Sequence, residues 1–280
     1  MNNLKEGEEV KVDFPEQALQ SFLEINQLAV TLVNEWRSGL HNVFTKTNAN
    51  GVTDVITEVD RGIERLAIDT LQKIAPDVGV FGEENFKYDF STTLNPQYFV
   101  VDPIDGTKEF VRGSSEWSIS LCLVENGKPT AASVYMPDKQ HLFTAVSGKG
   151  AKFNGIRLQP KNDNPKRIGV SPRQIKEELF RTAIDDSGFE PIMISALTPK
   201  ICALLRGEVD AAVYFPQEGQ SAALWDYAAS VLLVSEAGGQ ITSLCGNELP
   251  FVGEGVIHKK GWLATRFPSD HSRLLSCLKI

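Results

Sequence analysis

Residues 98–107 read YFVVDPIDGT. Four apolar residues running into Asp102 and Asp105 describe a buried strand whose C-terminal end carries two carboxylates. Sites in α/β proteins lie at such strand ends. Pro103 fixes one backbone angle and Gly106 permits a tight path, so the two acids, three residues apart, can converge on one locus. Two converging carboxylates repel unless a cation lies between them. Hard oxygen ligands suit Mg²⁺, which binds through a few carboxylates together with substrate phosphate and water. The N–H groups of Gly106 and Thr107 would face a phosphate if a helix begins there. The same string also reads as an ordinary Asp-Gly turn with solvated aspartates, so the reading depends on its neighbours.

Upstream, 78–81 is a second short apolar run ending in an acidic pair, Glu83 and Glu84. The spacing of Ile63, Leu66, Ala67, Thr70, Leu71 and Ile74 predicts a helix starting near Thr57 and ended by Pro76. A longer helix is expected over 15–36, with Ala18, Phe22, Ile25, Ala29, Leu32, Val33 and Trp36 on one face. Residues 46–51 (KTNANG) read as a polar loop between the two helices. Downstream, 117–124, 131–135 and 142–145 read as a meander joined by NGK and MPDK turns. The first half is therefore two helices on a largely antiparallel sheet.

The composition turns polar at 161–165, so a boundary is placed between 1–160 and 161–280. Beyond it strands at 167–170, 191–194, 211–214 and 240–242 alternate with helices near 173–182, 200–206 and 226–237. That alternation predicts a layered α/β (α+β) arrangement.

Two further acids join the pattern. Asp226 opens a nearly apolar helix that Gly238 and Gly239 stop, so it reads either as that helix's N-cap or as a metal ligand. Asp60 stands three residues after Thr57, the spacing of a capping box. Glu83 alone also fits a solvated loop.

Hydrophobic residues make up 42% and charged residues 23% of the 280, ordinary globular values with room for a sizeable core. The formal net charge of −8 disfavours nucleic acid polymers and anionic membranes as partners. Four scattered cysteines and four scattered histidines give neither a disulfide framework nor a zinc pattern. No apolar run approaches the ~18 residues of a membrane span, and no signal peptide is visible, so a cytoplasmic setting is expected.

GEE at 82–84, DPIDGTKEF at 102–110 and WDYAAS at 225–230, with DVITEVD at 54–60, occur in an order and spacing that resemble the inositol monophosphatase superfamily of lithium-sensitive, magnesium-dependent phosphatases. GKGAKFNG at 148–155 and SEAGGQI at 235–241 fit as well. The resemblance implies an α-β-α-β-α sandwich of the sugar-phosphatase type and two or three Mg²⁺ ions. Glu83, Asp102, the Ile104 carbonyl and Thr107 would surround the first; Asp102, Asp105 and Asp226 would hold the second. Asp60 would lie in the outer shell or near a third. Water oriented by Thr107 and Glu83 would attack phosphorus in line, with no covalent phosphoenzyme.

Lys108 and Glu109 make DGTKEF look like the 3′(2′),5′-bisphosphate nucleotidase branch, which implies removal of the 3′-phosphate of 3′-phosphoadenosine 5′-phosphate. SEWSISLCLVENGKP at 115–129 resembles that branch too. By the same resemblance Gly106, Thr107, Lys108, Lys200 and Asp226 are candidate substrate contacts; Lys200 also reads as a surface lysine. Leu224 stands where that branch places Glu, Glu218 is out of register with the inositol phosphatases, and Thr198-Pro199 replaces a serine-rich stretch. An inositol or related polyol phosphate is therefore the alternative substrate. The resemblance leaves monomer and homodimer open.

Other readings fare worse. An aspartyl-phosphate mechanism needs an Asp two residues before Asp105, where Pro103 stands. A nucleotide-binding module lacks both G-x-G-x-x-G and G-x-x-x-x-G-K-[ST]. An inactive metal-binding scaffold would not need all four carboxylates together with Thr107.

Overall fold

The computed structural model describes residues 13–39, 43–47, 53–85, 91–159, 166–216, 220–258 and 260–278. The first half comprises α1 (Phe14–Ser38), β1 (Val43–Thr47), β2 (Thr53–Thr57), α2 (Glu58–Ile74), β3 (Gly79–Gly82), α3 (Ser91–Leu94), β4 (Gln97–Asp105), α4 (Thr107–Val111), β5 (Ser118–Glu125), β6 (Lys128–Met136), β7 (His141–Val146), β8 (Ala151–Phe153) and β9 (Ile156–Arg157). The second comprises β10 (Arg167–Val170), α5 (Glu178–Ser187), β11 (Glu190–Met193), α6 (Leu197–Arg206), β12 (Ala211–Tyr214), β13 (Ala222–Ala223), α7 (Leu224–Glu236), β14 (Gln240–Ser243), β15 (Ile257–His258), β16 (Trp262–Thr265) and α8 (Pro268–Cys277).

Strands β3 to β9 form a seven-stranded sheet in sequential order. Its β3–β4 pair is parallel and its other pairs are antiparallel. A five-stranded sheet has the order β11-β10-β12-β16-β14, with β10 parallel to both neighbours.

Alternation along β4 sorts the core. Phe99 and Val101 join the cluster beneath α1 and α2, while Tyr98 and Val100 join the cluster around α6 and α7. That middle cluster also takes Ala212, Trp262 and Ala264 from the second sheet. A third cluster packs Phe180 and Ile184 of α5 and Leu274 of α8 on the far face, against Ile168, Ala211 and Leu263. Five layers result, α-β-α-β-α, the arrangement that the family resemblance implies. Helix α7 lies between two sheets, so it is apolar nearly all round: Leu224, Tyr227, Ala228, Leu232, Leu233 and Val234 are all buried. Each such large side chain contributes about 1.5–3 kcal/mol.

Several elements differ from expectation. Part of the supposed polar loop is strand, because β1 and β2 pair antiparallel with Val43 opposite Thr57; 48–52 lie outside the described residues. The helix expected over 173–182 is a 3₁₀ turn at Gln174–Lys176 followed by α5, since Glu177 is extended between them. Asp226 is the third residue of α7, not its N-cap; Ala223 holds that place. On α2 the buried face includes Glu64, whereas Leu66 is only half-buried. The boundary expected at 160/161 lies outside the described residues. Among the described residues no helix is long and apolar enough to cross a membrane.

Candidate active site

The predicted acids gather where the C-terminal end of β4 meets several helix starts. The ladder between β4 and β5 is regular to Asp102 opposite Ser120, then breaks before Asp105 opposite Ser118. Proline cannot donate to the ladder, and the irregularity at Pro103 turns both acids toward the same end of the sheet. Alternation places Asp102 on the side of Tyr98 and Val100, the side that α7 covers. Glu83 follows β3, and its N–H donates to the Val101 carbonyl at 3.2 Å, which sets it beside Asp102.

Three acids lean on helix N-termini. Asp60, third residue of α2, accepts from the Thr57 N–H at 2.7 Å and the Thr57 hydroxyl at 2.5 Å, completing the capping box. Asp226 accepts from the Ala223 N–H at 2.7 Å. Asp105 accepts from the first two amides of α6, Leu197 at 3.4 Å and Thr198. Exposed amides and helix dipoles favour negative charge at these places. Burial nevertheless pushes Asp60 up to about 6, against the Thr57 hydrogen bonds. It pushes Asp105 to about 6 as well, against the α6 amides.

Asp102 has no comparable support. It is 2% exposed, and its Oδ1 is buried without a hydrogen-bond partner. Burial, then the charges of Glu83, Asp105, Asp226 and Asp60, hold it well above the ordinary carboxylate value. A carboxylate in that position is destabilised unless it is protonated or a cation joins it.

Thr107 starts α4 after Gly106, whose φ of +94° is left-handed. A side chain at 106 would meet the Glu116 carbonyl oxygen at 2.8 Å and the Ala196 Cβ at 3.0 Å, so glycine is required. The Thr107 hydroxyl lies 3.0 Å from the Ile104 carbonyl and 3.2 Å from Asp60 Oδ1, and can donate to either. Asp60, Ile104 and Thr107 thus form one contact group. Lys108 is half-buried on α4. Lys200 is fully buried, not on the surface; its Nζ donates to Ser171 Oγ at 2.7 Å and to the Val213 carbonyl at 3.3 Å. Burial lowers its amine to about 7.

Sequence reasoning passed over Glu64. Its carboxylate, 0% exposed, accepts from the Glu84 and Asn85 N–H groups, each at 2.7 Å. The available signal was a charged residue one turn beyond Asp60 on the apolar face of α2.

Among the described residues no three His, Cys, Asp or Glu side chains stand as a ready-made metal cage. The donor set nevertheless fits a hard divalent cation: it is all oxygen, it crowds charge, and one buried oxygen has no partner.

The inositol monophosphatase family model matches residues 18–276. The chain is 31% identical over 228 residues to the fructose-1,6-bisphosphatase/inositol-1-monophosphatase of Thermotoga maritima, covering 79% of this chain and 82% of that one. It is 32% identical over 222 residues to the histidinol-phosphatase of Mycobacterium tuberculosis, covering 72% and 78%. A solved IMPase/NADP phosphatase, complexed with NADP and Ca²⁺, superposes with a TM-score of 0.82 at 19% identity, over 96% of this chain and 97% of that one; this likeness concerns the fold. A layered phosphatase fold with acids grouped at one strand end defines the class. The chain belongs to the inositol monophosphatase family.

Proposed function

We propose that the protein is a Mg²⁺-dependent phosphomonoesterase acting on a small phosphate ester at the carboxylate site. The observation that carries this reading is Asp102, buried among four other acids with one oxygen unpaired. Glu83, Asp102, the Ile104 carbonyl, Asp105 and Asp226 would hold two ions, and a third could lie by Asp60. The metal would supply Lewis-acid activation of water and charge neutralisation at phosphorus. Thr107, donating toward Asp60, and Glu83 orient the water for in-line attack. The Gly106 and Thr107 amides receive the phosphate, with Lys108, Asp226 and Lys200 on the substrate side. In this scheme residues 1–160 bear most ligands, and 161–280 supply Asp226 and the remaining substrate contacts. The setting is cytoplasmic, with no nucleic acid polymer as partner.

For the substrate, DGTKEF supports the 3′-phosphate of 3′-phosphoadenosine 5′-phosphate. A polyol phosphate is the second reading, favoured by the name of the Thermotoga maritima relative. Phosphate release is measured at fixed Mg²⁺ with 3′-phosphoadenosine 5′-phosphate, inositol 1-phosphate and histidinol phosphate in parallel, each with an EDTA control. A kcat/KM a hundredfold higher for the nucleotide establishes the first reading. Preference for inositol 1-phosphate replaces it with the second, and preference for histidinol phosphate refutes both. No EDTA-sensitive release from any of the three refutes the metal-dependent proposal for these substrates.

A further inference from the structure

Glu83 is held by the two peptide planes that flank it. Its own N–H is tied to the Val101 carbonyl at 3.2 Å. The next N–H, that of Glu84, donates to Glu64 Oε2 at 2.7 Å, and the Asn85 N–H donates to Oε1 at 2.7 Å. One bond fixes the backbone before the Glu83 side chain and the other fixes it after. The carboxylate reaches the turn because residue 82 is glycine: a Cβ there would lie 2.5–2.8 Å from the three atoms of the Glu64 carboxyl group. Such a contact is shorter than side chains tolerate, so Gly82 and Glu64 are matched in shape.

The arrangement is electrostatically costly. Glu64 is buried on a helix face that carries Asp60 one turn before it and is otherwise lined by Ile63, Ala67 and Leu71, and the charge of Glu83 acts against it. An apolar residue would remove that repulsion but leave two N–H groups of the turn without an acceptor. Glutamine would fill the same space with one acceptor and one donor, and the donor would face a backbone N–H.

We propose that Glu64, with Gly82 as its steric complement, is a positioning residue that sets the Glu83 carboxylate for divalent-cation binding; this rests on the metal-dependent reading above. It touches neither substrate nor cation and acts through the backbone of 83–85.

The test reads Mn²⁺ binding to the metal-free full chain, without substrate, by calorimetry or electron paramagnetic resonance. Glu64→Gln is expected to keep its circular dichroism spectrum while its Mn²⁺ Kd rises at least tenfold. Gly82→Ala should weaken binding similarly. Adding Glu64→Asp to Gly82→Ala withdraws the carboxyl by one methylene and should restore part of the loss, a coupling that two unrelated defects would not show. Thr70→Val, a buried change on the same helix, should leave the Kd unchanged. Folded Glu64→Gln protein binding Mn²⁺ within twofold of wild type overturns the proposal. If Glu64→Gln does not fold, Gly82→Ala binding within twofold overturns it equally. Wild-type protein binding no Mn²⁺ refutes the metal-dependent reading itself, and the inference falls with it.

Discussion

Replacing Asp102 by asparagine should make the protein inactive and, without metal, more stable. Asp102 is 2% exposed, one of its oxygens has no partner, and four acids raise its carboxyl. Ionised and metal-free, it is a buried anion without compensation. Asparagine keeps the shape, removes the charge and adds a donor among acceptors. Relieving a buried unsatisfied group is worth about 1–3 kcal/mol, or a rise in Tm of roughly 2–5 °C for a chain of this size. The pH dependence has a definite sign. The folded value exceeds the ordinary 3.8, so the native state holds the proton longer than the unfolded chain. Stability from this residue is therefore lost as pH rises from 3.8 through the folded value, and the asparagine variant should lose less over that span. Turnover moves the other way: under the proposed metal-dependent mechanism, losing this charge should cost about 4 kcal/mol, on the order of a thousandfold in kcat. Calorimetric melts in EDTA and in Mg²⁺ separate the effects. Mg²⁺ at a hundred times its Kd should stabilise wild type by about 2.7 kcal/mol and the variant much less. A variant that melts below wild type in EDTA, or retains kcat within tenfold, would refute this account of the site.

Gly106→Ala should cost about 2–3 kcal/mol, since its Cβ meets the Glu116 carbonyl oxygen at 2.8 Å in a left-handed backbone. Unchanged urea midpoints would contradict this. His271, buried between the hydroxyls of Thr242 and Thr265, is lowered by burial from 6.5 to about 4. The unfolded chain takes up its proton first, so about 3 kcal/mol of stability should drain away between those pH values. Urea titrations from pH 7 to 4 on wild type and His271→Gln should show a shallower decline in the variant, and equal slopes would count against the buried neutral histidine. The Tyr227 hydroxyl donates to the Pro250 carbonyl at 2.5 Å, so Tyr227→Phe should lower stability by about 1–2 kcal/mol with KM unchanged; a shifted KM would mean that this hydroxyl reaches the substrate.

What was legible in the sequence was whatever a local pattern carries. The apolar run at 98–101, the period of 3.6 in α1 and α2, and the near-continuous apolar stretch of α7 follow from residues close in the chain. So does the spacing of Thr57 and Asp60. The β1–β2 hairpin escaped because its residues lack a marked apolar alternation. The strand Trp262–Thr265 and α8 went unread, although Trp262, Leu263 and Ala264 are all buried. The strand's apolar run is only three residues long, and its meaning depends on β12 and β14 on either side. Within the site, motif order grouped the acids, but which of them lacked a partner depends on long-range contacts. Asp105 finds its amides 92 and 93 residues away, and Glu64 finds its own across 20 and 21. Lys200 shows the same limit, since its burial depends on Ser171 and Val213.

The middle helical layer has a further consequence. Asp102 and Asp105 belong to the first sheet, whereas the amides that hold Asp105 and the acid at 226 come from helices lying between the two sheets. If the chain were severed between β9 and β10 and the fragments expressed apart, each would carry an incomplete set of groups. Catalysis would then report reassociation, and the site itself would act as a proximity sensor for its two halves.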